Sequence, residues 1–334
     1  MDQSFFAKFK QNRRGYFFFL LFCVLFFLTL FAELIANDKP LLMRFKGDFY
    51  FPALQKISEK NLGGEFESEA DFRDPFVKKL IAQNGWMIFA PIPFSFDTIN
   101  YTINSPAPSK PTAQNILGTD DQGRDVLARV IYGVRISLIF GLLLTFFSAI
   151  IGIFLGMIQG YFGGKLDLFF QRFMEIWSSM PVLFLLIILS SIIVPSFAAL
   201  LFLMLLFSWM GIVAYVRAEF LRLRNFDFVR ASKALGASDM RIIFRHILPN
   251  AMPVIVANLP FILAGAITTL ASLDFLGLGL PAGSPSLGEL LAQGKNNLTA
   301  HWLAITSFAT ITIILTSLVF IGEAVRDAFD SRKL

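Results

Sequence analysis

From Ile136 to Gly164 the chain carries no charged side chain, and from Met180 to Val216 again none. Runs of that length set the solvent. A helix rises about 1.5 Å per residue, so about 20 apolar residues cross the hydrocarbon core of a bilayer. The second run is too long for one crossing, and Pro195-Ser196 divides it. Helices are therefore expected at about 181–194 and 197–217, the first starting earlier if it is kinked at Pro181. Three more apolar runs, 16–36, 251–273 and 302–322, bring the expected total to six. Composition agrees: 55% of residues are hydrophobic and 16% charged, against roughly 25% charged in an average soluble domain. The chain reads as an all-α membrane protein.

The first run, 16–36, is interrupted only by Thr29 and Glu33, and Glu33 lies near its end. It is long for a signal peptide and has no small-x-small cleavage site, so a retained helix is expected. Its cysteine, Cys23, is the only one in the chain, which excludes an intrachain disulfide and a cysteine metal site. Residues 37–118 are polar, with Glu65, Glu67, Glu69, Asp71 and Asp74 followed by Pro91, Pro93, Pro106, Pro108 and Pro111. Proline at that density predicts a large, mostly irregular extramembrane insert. A helix is expected to begin near Thr119 or Asp120. Its charged residues Asp121, Arg124, Asp125, Arg129 and Arg135 suit an interfacial segment at the end of a 37–135 division.

Lys and Arg in short loops set orientation. Seven lie in 217–245, four before the first run, two in 165–172 and three in the 323–334 tail. All four segments fall on one side of a six-helix arrangement, so both termini are expected to be cytoplasmic. The net charge of +5 is thereby read as topology, with no nucleic-acid partner.

Chemistry is sparse. No ionisable side chain interrupts the last five apolar runs, which disfavours proton coupling. Gly160-Tyr161-Phe162-Gly163-Gly164-Lys165-Leu166 has the wrong glycine spacing for a phosphate-binding loop and lacks its Ser/Thr. His246 and His301 have no neighbouring nucleophile or base in sequence.

The informative segment is 217–250. Asp227 is expected to N-cap a short helix, Gly236 to close it in the left-handed conformation, and Ser238-Asp239 to start a second helix that stops at Pro249. Small Ala231, Ser232 and Ala234 would let another protein approach closely. The run Arg230-Ala231-Ser232-Lys233-Ala234-Leu235-Gly236, with Leu248-Pro249 downstream, resembles the EAA loop of ABC-importer permeases. Ala231, Gly236, Leu248 and Pro249 match the family pattern, while Arg230 stands where the family has Glu, Ser232 where it has Ala and His246 where it has Ile. The runs Leu117 to Asp125, Ser272 to Gly279, Pro285 to Leu291 and Gly322 to Ala328 are similar to dipeptide/oligopeptide permease C subunits. The stretch Glu67 to Pro75, Asn84-Gly85-Trp86 and Gly294 to Leu298 resemble the Yej-type branch, associated with oligopeptide and microcin C uptake.

The resemblance implies the type I importer permease fold, with a five-helix core at 136–322 in a bacterial-type inner membrane. It implies a second homologous permease, ABC ATPase subunits docked on the coupling helix and an extracytoplasmic substrate-binding protein. ATP and magnesium would then sit on the ATPase, with no cofactor on this chain. On the fifth helix Asn258, Gly265, Thr269 and Ser272, spaced 7, 4 and 3 residues apart, share one face. That polar stripe suits either a translocation path or close helix packing. A stand-alone channel or carrier, and a membrane scaffold or receptor, are the alternative functions.

Overall fold

The computed structural model describes residues 3–103, 105–192 and 195–329. Arg332 and Lys333, counted above toward the tail's charge, lie outside the described residues. In chain order the helices are α1 (Gln3–Gln11), α2 (Arg13–Leu30), α3 (Ala32–Ile35), α4 (Pro75–Asn84), α5 (Val126–Phe162), α6 (Gly164–Ser178), α7 (Val182–Ile192), α8 (Phe197–Leu223), α9 (Asp227–Ala234), α10 (Asp239–Phe275), α11 (Leu287–Asn296) and α12 (His301–Phe329). Strands β1 (Leu42–Phe45), β2 (Asp48–Tyr50) and β3 (Gly85–Ile88) form one small sheet.

Among the described residues five helices are long and apolar enough to cross a membrane: α2, α5, α8, α10 and α12. The sixth candidate span is a broken pair, α6 followed by α7, bent by 65°. The break falls at Pro181. Proline donates no backbone hydrogen bond and pushes the residue before it out of helical geometry. The chain divides into two units, 1–24 with 137–281 and 311–334, and 25–136 with 282–310.

In the first unit α5 packs on α8 through a glycine ladder. A Cβ built on Gly152 would stand 2.6 Å from Cβ of Ile212, one on Gly156 2.6 Å from Cβ of Val216, and one on Gly160 2.7 Å from the Arg217 carbonyl oxygen. Glycine every fourth residue clears one stripe of a helix, so backbones meet where lipid supplies no hydrophobic drive. Below the ladder Met157, Ile212, Val216, Phe220, Ile243 and Ile247 form a buried core. Elsewhere in this unit α2 meets α12, where the rings of Phe18 and Phe320 stack at 4.6 Å.

The helix expected to stop at Pro249 does not stop. It runs from Asp239 to Phe275 through a widened π turn at Ile242–Ile247. An interior proline removes one i→i−4 bond and crowds the preceding turn; the wider turn just before Pro249 makes room for the ring.

In the second unit the sheet order is β2-β1-β3, antiparallel throughout, with Arg44 opposite both Phe49 and Trp86. Met43, Phe45, Leu62, Phe72, Val77 and Ile81 fill its core. The 37–118 insert is thus partly regular, because apolar residues ahead of the prolines suffice for a sheet and for α4. Asp74 caps α4 by accepting from the Phe76 amide at 2.6 Å.

The helix expected from Thr119 or Asp120 begins at Val126 instead. Asp120 is held in a tight loop, accepting from the amides of Gln122 (3.0 Å) and Arg124 (2.9 Å). Asp125 supplies the cap to the Ala128 amide at 2.8 Å. Three of the charges expected in an interfacial segment turn inward to protein partners. Asp120, Arg124 and Arg129 are buried against one another and against Glu289 of α11: Arg124 Nε lies 2.6 Å from Asp120 Oδ2, and Arg129 Nη2 2.9 Å from Glu289 Oε2. Arg135 instead pairs with Glu33 at 2.7 Å.

Candidate functional site

Helix α9 is a short element held by one deep anchor. Val229 is fully buried, whereas Arg230, Ala231, Lys233, Ala234, Leu235 and Gly236 are exposed and Ser232 is half-buried. Leu235 is 89% exposed, and Met240 and Arg241 at the start of α10 are exposed too. A projecting apolar side chain flanked by small residues and cations is a surface suited to another protein.

The turn after α9 is a Schellman motif. The Gly236 amide donates to the Lys233 carbonyl (2.9 Å), the Ala237 amide to the Ser232 carbonyl (3.1 Å), and Gly236 has φ +78°. Phe226, not Asp227, occupies the N-cap position. Asp227 lies in the first helical turn, fully exposed, where its charge favours the positive end of the helix dipole without a capping bond. Ser232 returns its hydroxyl to the Phe228 carbonyl at 2.8 Å. Leu248 is half-buried against the apolar core and Pro249 is exposed.

Asp167, Arg217 and Arg224, which the sequence did not single out, join Tyr161, Lys233 and Asp239 in binding this region to the long helices. Tyr161, at the end of α5, donates to Asp239 Oδ1 at 2.5 Å, and the Lys233 ammonium stands 5.1 Å over the same ring. Arg224 donates to the carbonyls of Gly160 and Tyr161 at 3.3 Å. Arg217 grips Asp167 of α6 with two bonds, 2.5 and 2.6 Å. A bidentate guanidinium–carboxylate pair fixes distance and angle together. These contacts join α9 and α10 to the end of α5, the end of α8 to α5, and α8 to α6. The only sequence signal for these partners was the basic count, which was absorbed by topology.

The stripe on α10 divides. Gly265 and Thr269 line a cavity of about 440 Å³ with Thr145 and Ser148 of α5 and Ser208 of α8. Asn258 is half-buried and Ser272 exposed, and neither borders it. Asn258, Thr269 and Ser272 donate to the carbonyls of Val254, Gly265 and Thr268, respectively, four residues back (2.7, 2.9 and 2.8 Å). Such back-bonding satisfies polar groups on a helix in an apolar solvent. A Cβ built on Gly265 meets open space, so among the described residues no helix of this unit packs there.

Charge chemistry outside the spans concentrates before α5. Burial pushes the Asp125 carboxyl above the usual carboxylate range, against the opposing bonds from the Ala128 amide and Asn115 Nδ2. Burial, and next the neighbouring Asp120, raise Asp121 likewise. Among the described residues no group of three His, Cys, Asp or Glu gathers that could hold a metal ion.

Comparison with known proteins fits this architecture. Residues 152–334 match the family described as binding-protein-dependent transport system inner membrane component. The chain is 58% identical to the inner membrane ABC transporter permease protein YejE of Escherichia coli K12, covering 100% of this chain and 98% of that one. It is 54% identical to the peptidoglycan transport system permease protein YejE of Agrobacterium fabrum, over 98% of this chain and 92% of the other. Identity to the oligopeptide permease OppC of Lactococcus lactis IL1403 is 37%, over 66% of this chain and 77% of that one. An inward-facing structure of the MetNI methionine ABC transporter overlays with a TM-score of 0.52 at 22% identity, covering 61% of this chain and 98% of its own, which speaks to the fold alone. With relatives this similar along its whole length, the chain belongs to the binding-protein-dependent transport system inner membrane components and is a permease subunit of an ABC transporter.

Proposed function

We propose that this permease carries peptides inward across a bacterial inner membrane and that α9 with its Schellman turn is where an ABC ATPase docks. The observation that carries the reading is the construction of α9. Its outer surface is exposed around Leu235, while Val229, Tyr161, Arg224 and Asp239 tie its inner side to α5, α8 and α10. Closure of two ATPases on ATP and magnesium would move this element as a rigid lever and switch the long helices between two arrangements. This chain needs no nucleotide site for that work.

A second, homologous permease would complete the path, and a binding protein would deliver substrate on the outer face. Both termini are assigned to the cytoplasm by the Lys and Arg excess in 217–245 and at the N-terminus. Peptides are the substrate class because relatives named for oligopeptide and peptidoglycan transport share this sequence over most of its length. Peptide antibiotics of the microcin C type fall within that class.

The test is affinity purification of the tagged chain in mild detergent, with Leu235→Asp and Gly236→Asp alongside. The wild type is expected to bring down a second permease and ATPase subunits. Leu235→Asp touches no buried contact, so it should lose the ATPase and keep the permease partner. A folded wild-type complex without ATPase, or a Leu235→Asp variant that retains it fully, overturns the docking assignment. Transport that persists without any ATPase would restore the stand-alone carrier reading.

A further inference from the structure

The cavity between α5, α7, α8 and α10 holds a polar group with no partner among the described residues. Thr145 is only 8% exposed, and its Oγ1 has no hydrogen-bond partner among them. A desolvated hydroxyl left unpaired is costly, so a position that keeps one invites a ligand. Ser148 lies one turn along the same face of α5, and its Oγ stands 2.5 Å from Oγ of Ser208. One of those two hydroxyls donates to the other, which leaves the second proton uncommitted among the described residues. Thr145 also borders an apolar groove beside α2 and α12, but every other wall of that groove is apolar. Its hydroxyl companions all lie in the first cavity.

The remaining walls are uncharged and mainly aliphatic, Leu186 and Met204 among them. At about 440 Å³ the space falls in the ordinary range of about 300–1,000 Å³ for small-ligand sites. It is open along α10, where Gly265 leaves the backbone bare and Thr269 has already given its proton to the Gly265 carbonyl. A charged side chain would find no counter-charge here. An apolar side chain with a peptide carbonyl beside it would fill the space and accept a bond from Thr145.

We propose that this cavity is a side-chain subsite on the translocation path, taking an uncharged apolar residue of the moving peptide while Thr145 donates to the adjacent peptide carbonyl. The proposal rests on the peptide-importer reading and adds to it a specificity determinant inside the membrane subunit.

The experiment uses the complete importer in proteoliposomes, with its binding protein unchanged, and compares trileucine with triglycine. Thr145→Val keeps the shape and removes the hydroxyl. Loss of one neutral hydrogen bond should lower kcat/KM for trileucine about fivefold, while the thermal midpoint of the complex stays equal or rises. Gly265→Leu, which adds bulk where a Cβ meets open space, should cut trileucine transport at least about tenfold and triglycine less than about twofold, since overfilling penalises the larger side chain. Unchanged trileucine transport in Thr145→Val, or an equal fall for both peptides in Gly265→Leu, overturns the subsite. A wild-type complex that carries neither peptide overturns the importer reading itself, and the subsite with it.

Discussion

Replacing Asp120 by Asn tests the buried ion cluster ahead of α5 most directly. Asp120 and Arg129 are wholly buried, and Arg124 nearly so. Asp120 Oδ2 stands 2.6 Å from Arg124 Nε and 3.4 Å from Arg129 Nε, while Oδ1 takes two backbone amides. Asn keeps one acceptor but leaves two buried guanidiniums facing Glu289, with the Ser284 and Phe96 carbonyls as neutral partners of Arg129. Removing one member of a buried pair costs about 3–5 kcal/mol, because the survivor stays desolvated. Glu289 is 28% exposed, so water softens the loss in Glu289→Gln to about 1–3 kcal/mol.

The assay is thermal unfolding in detergent, read by tryptophan fluorescence. Trp302 donates to the Thr119 carbonyl at 3.3 Å and reports on this loop. Asp120→Asn should lower the midpoint on the order of 10 °C, Glu289→Gln by less, and the exposed control Asp227→Asn not at all. Pairing Asp120→Asn with Arg124→Met should recover part of the loss, since the stranded cation goes with its partner. If Asp120→Asn costs no more than Glu289→Gln, burial does not grade these interactions and the reasoning fails.

Asp125 carries a pH signature. Its folded value is raised by burial, so its contribution is complete below the unfolded value of about 3.9 and is lost as pH rises through the folded one. Asp125→Asn should therefore flatten the decline of the thermal midpoint from about pH 4 toward neutrality. Gly156→Ala should cost about 1–3 kcal/mol by overpacking α5 on α8, whereas Gly265→Ala, with open space around its Cβ, should be neutral or stabilising in the same melt. Arg217→Lys keeps the charge and loses the fork, and should cost about 1 kcal/mol relative to wild type, reversed when Asp167→Asn is already present.

Local patterns fixed much of this protein without any tertiary information. Uncharged runs determine how many helices can cross a bilayer, because lipid offers no partner to charge or to open backbone. Gly236 two residues beyond Ala234 determines the turn after α9, because its left-handed φ is costly to any residue with a Cβ. Gly152, Gly156 and Gly160 stand at every fourth position, but that they form a ladder against Ile212 and Val216 emerges only from the structure.

What the sequence could not decide is which distant groups meet. Glu289 lies 165 residues from Arg124, and no local rule pairs them. Asp120, Arg124 and Arg129 sit in one short stretch with other charges, and only the fold buries these three together. Pro249 illustrates the converse. Proline breaks a helix by a local rule, yet α10 passes through it because a π turn opens the preceding coil and the core around Ile243 and Ile247 holds both sides in line. The hydroxyl of Thr145, unpaired among the described residues, is likewise a tertiary fact. A threonine in an apolar helix ordinarily bonds to its own backbone, and only the packing of α5, α8 and α10 reveals that this one does not.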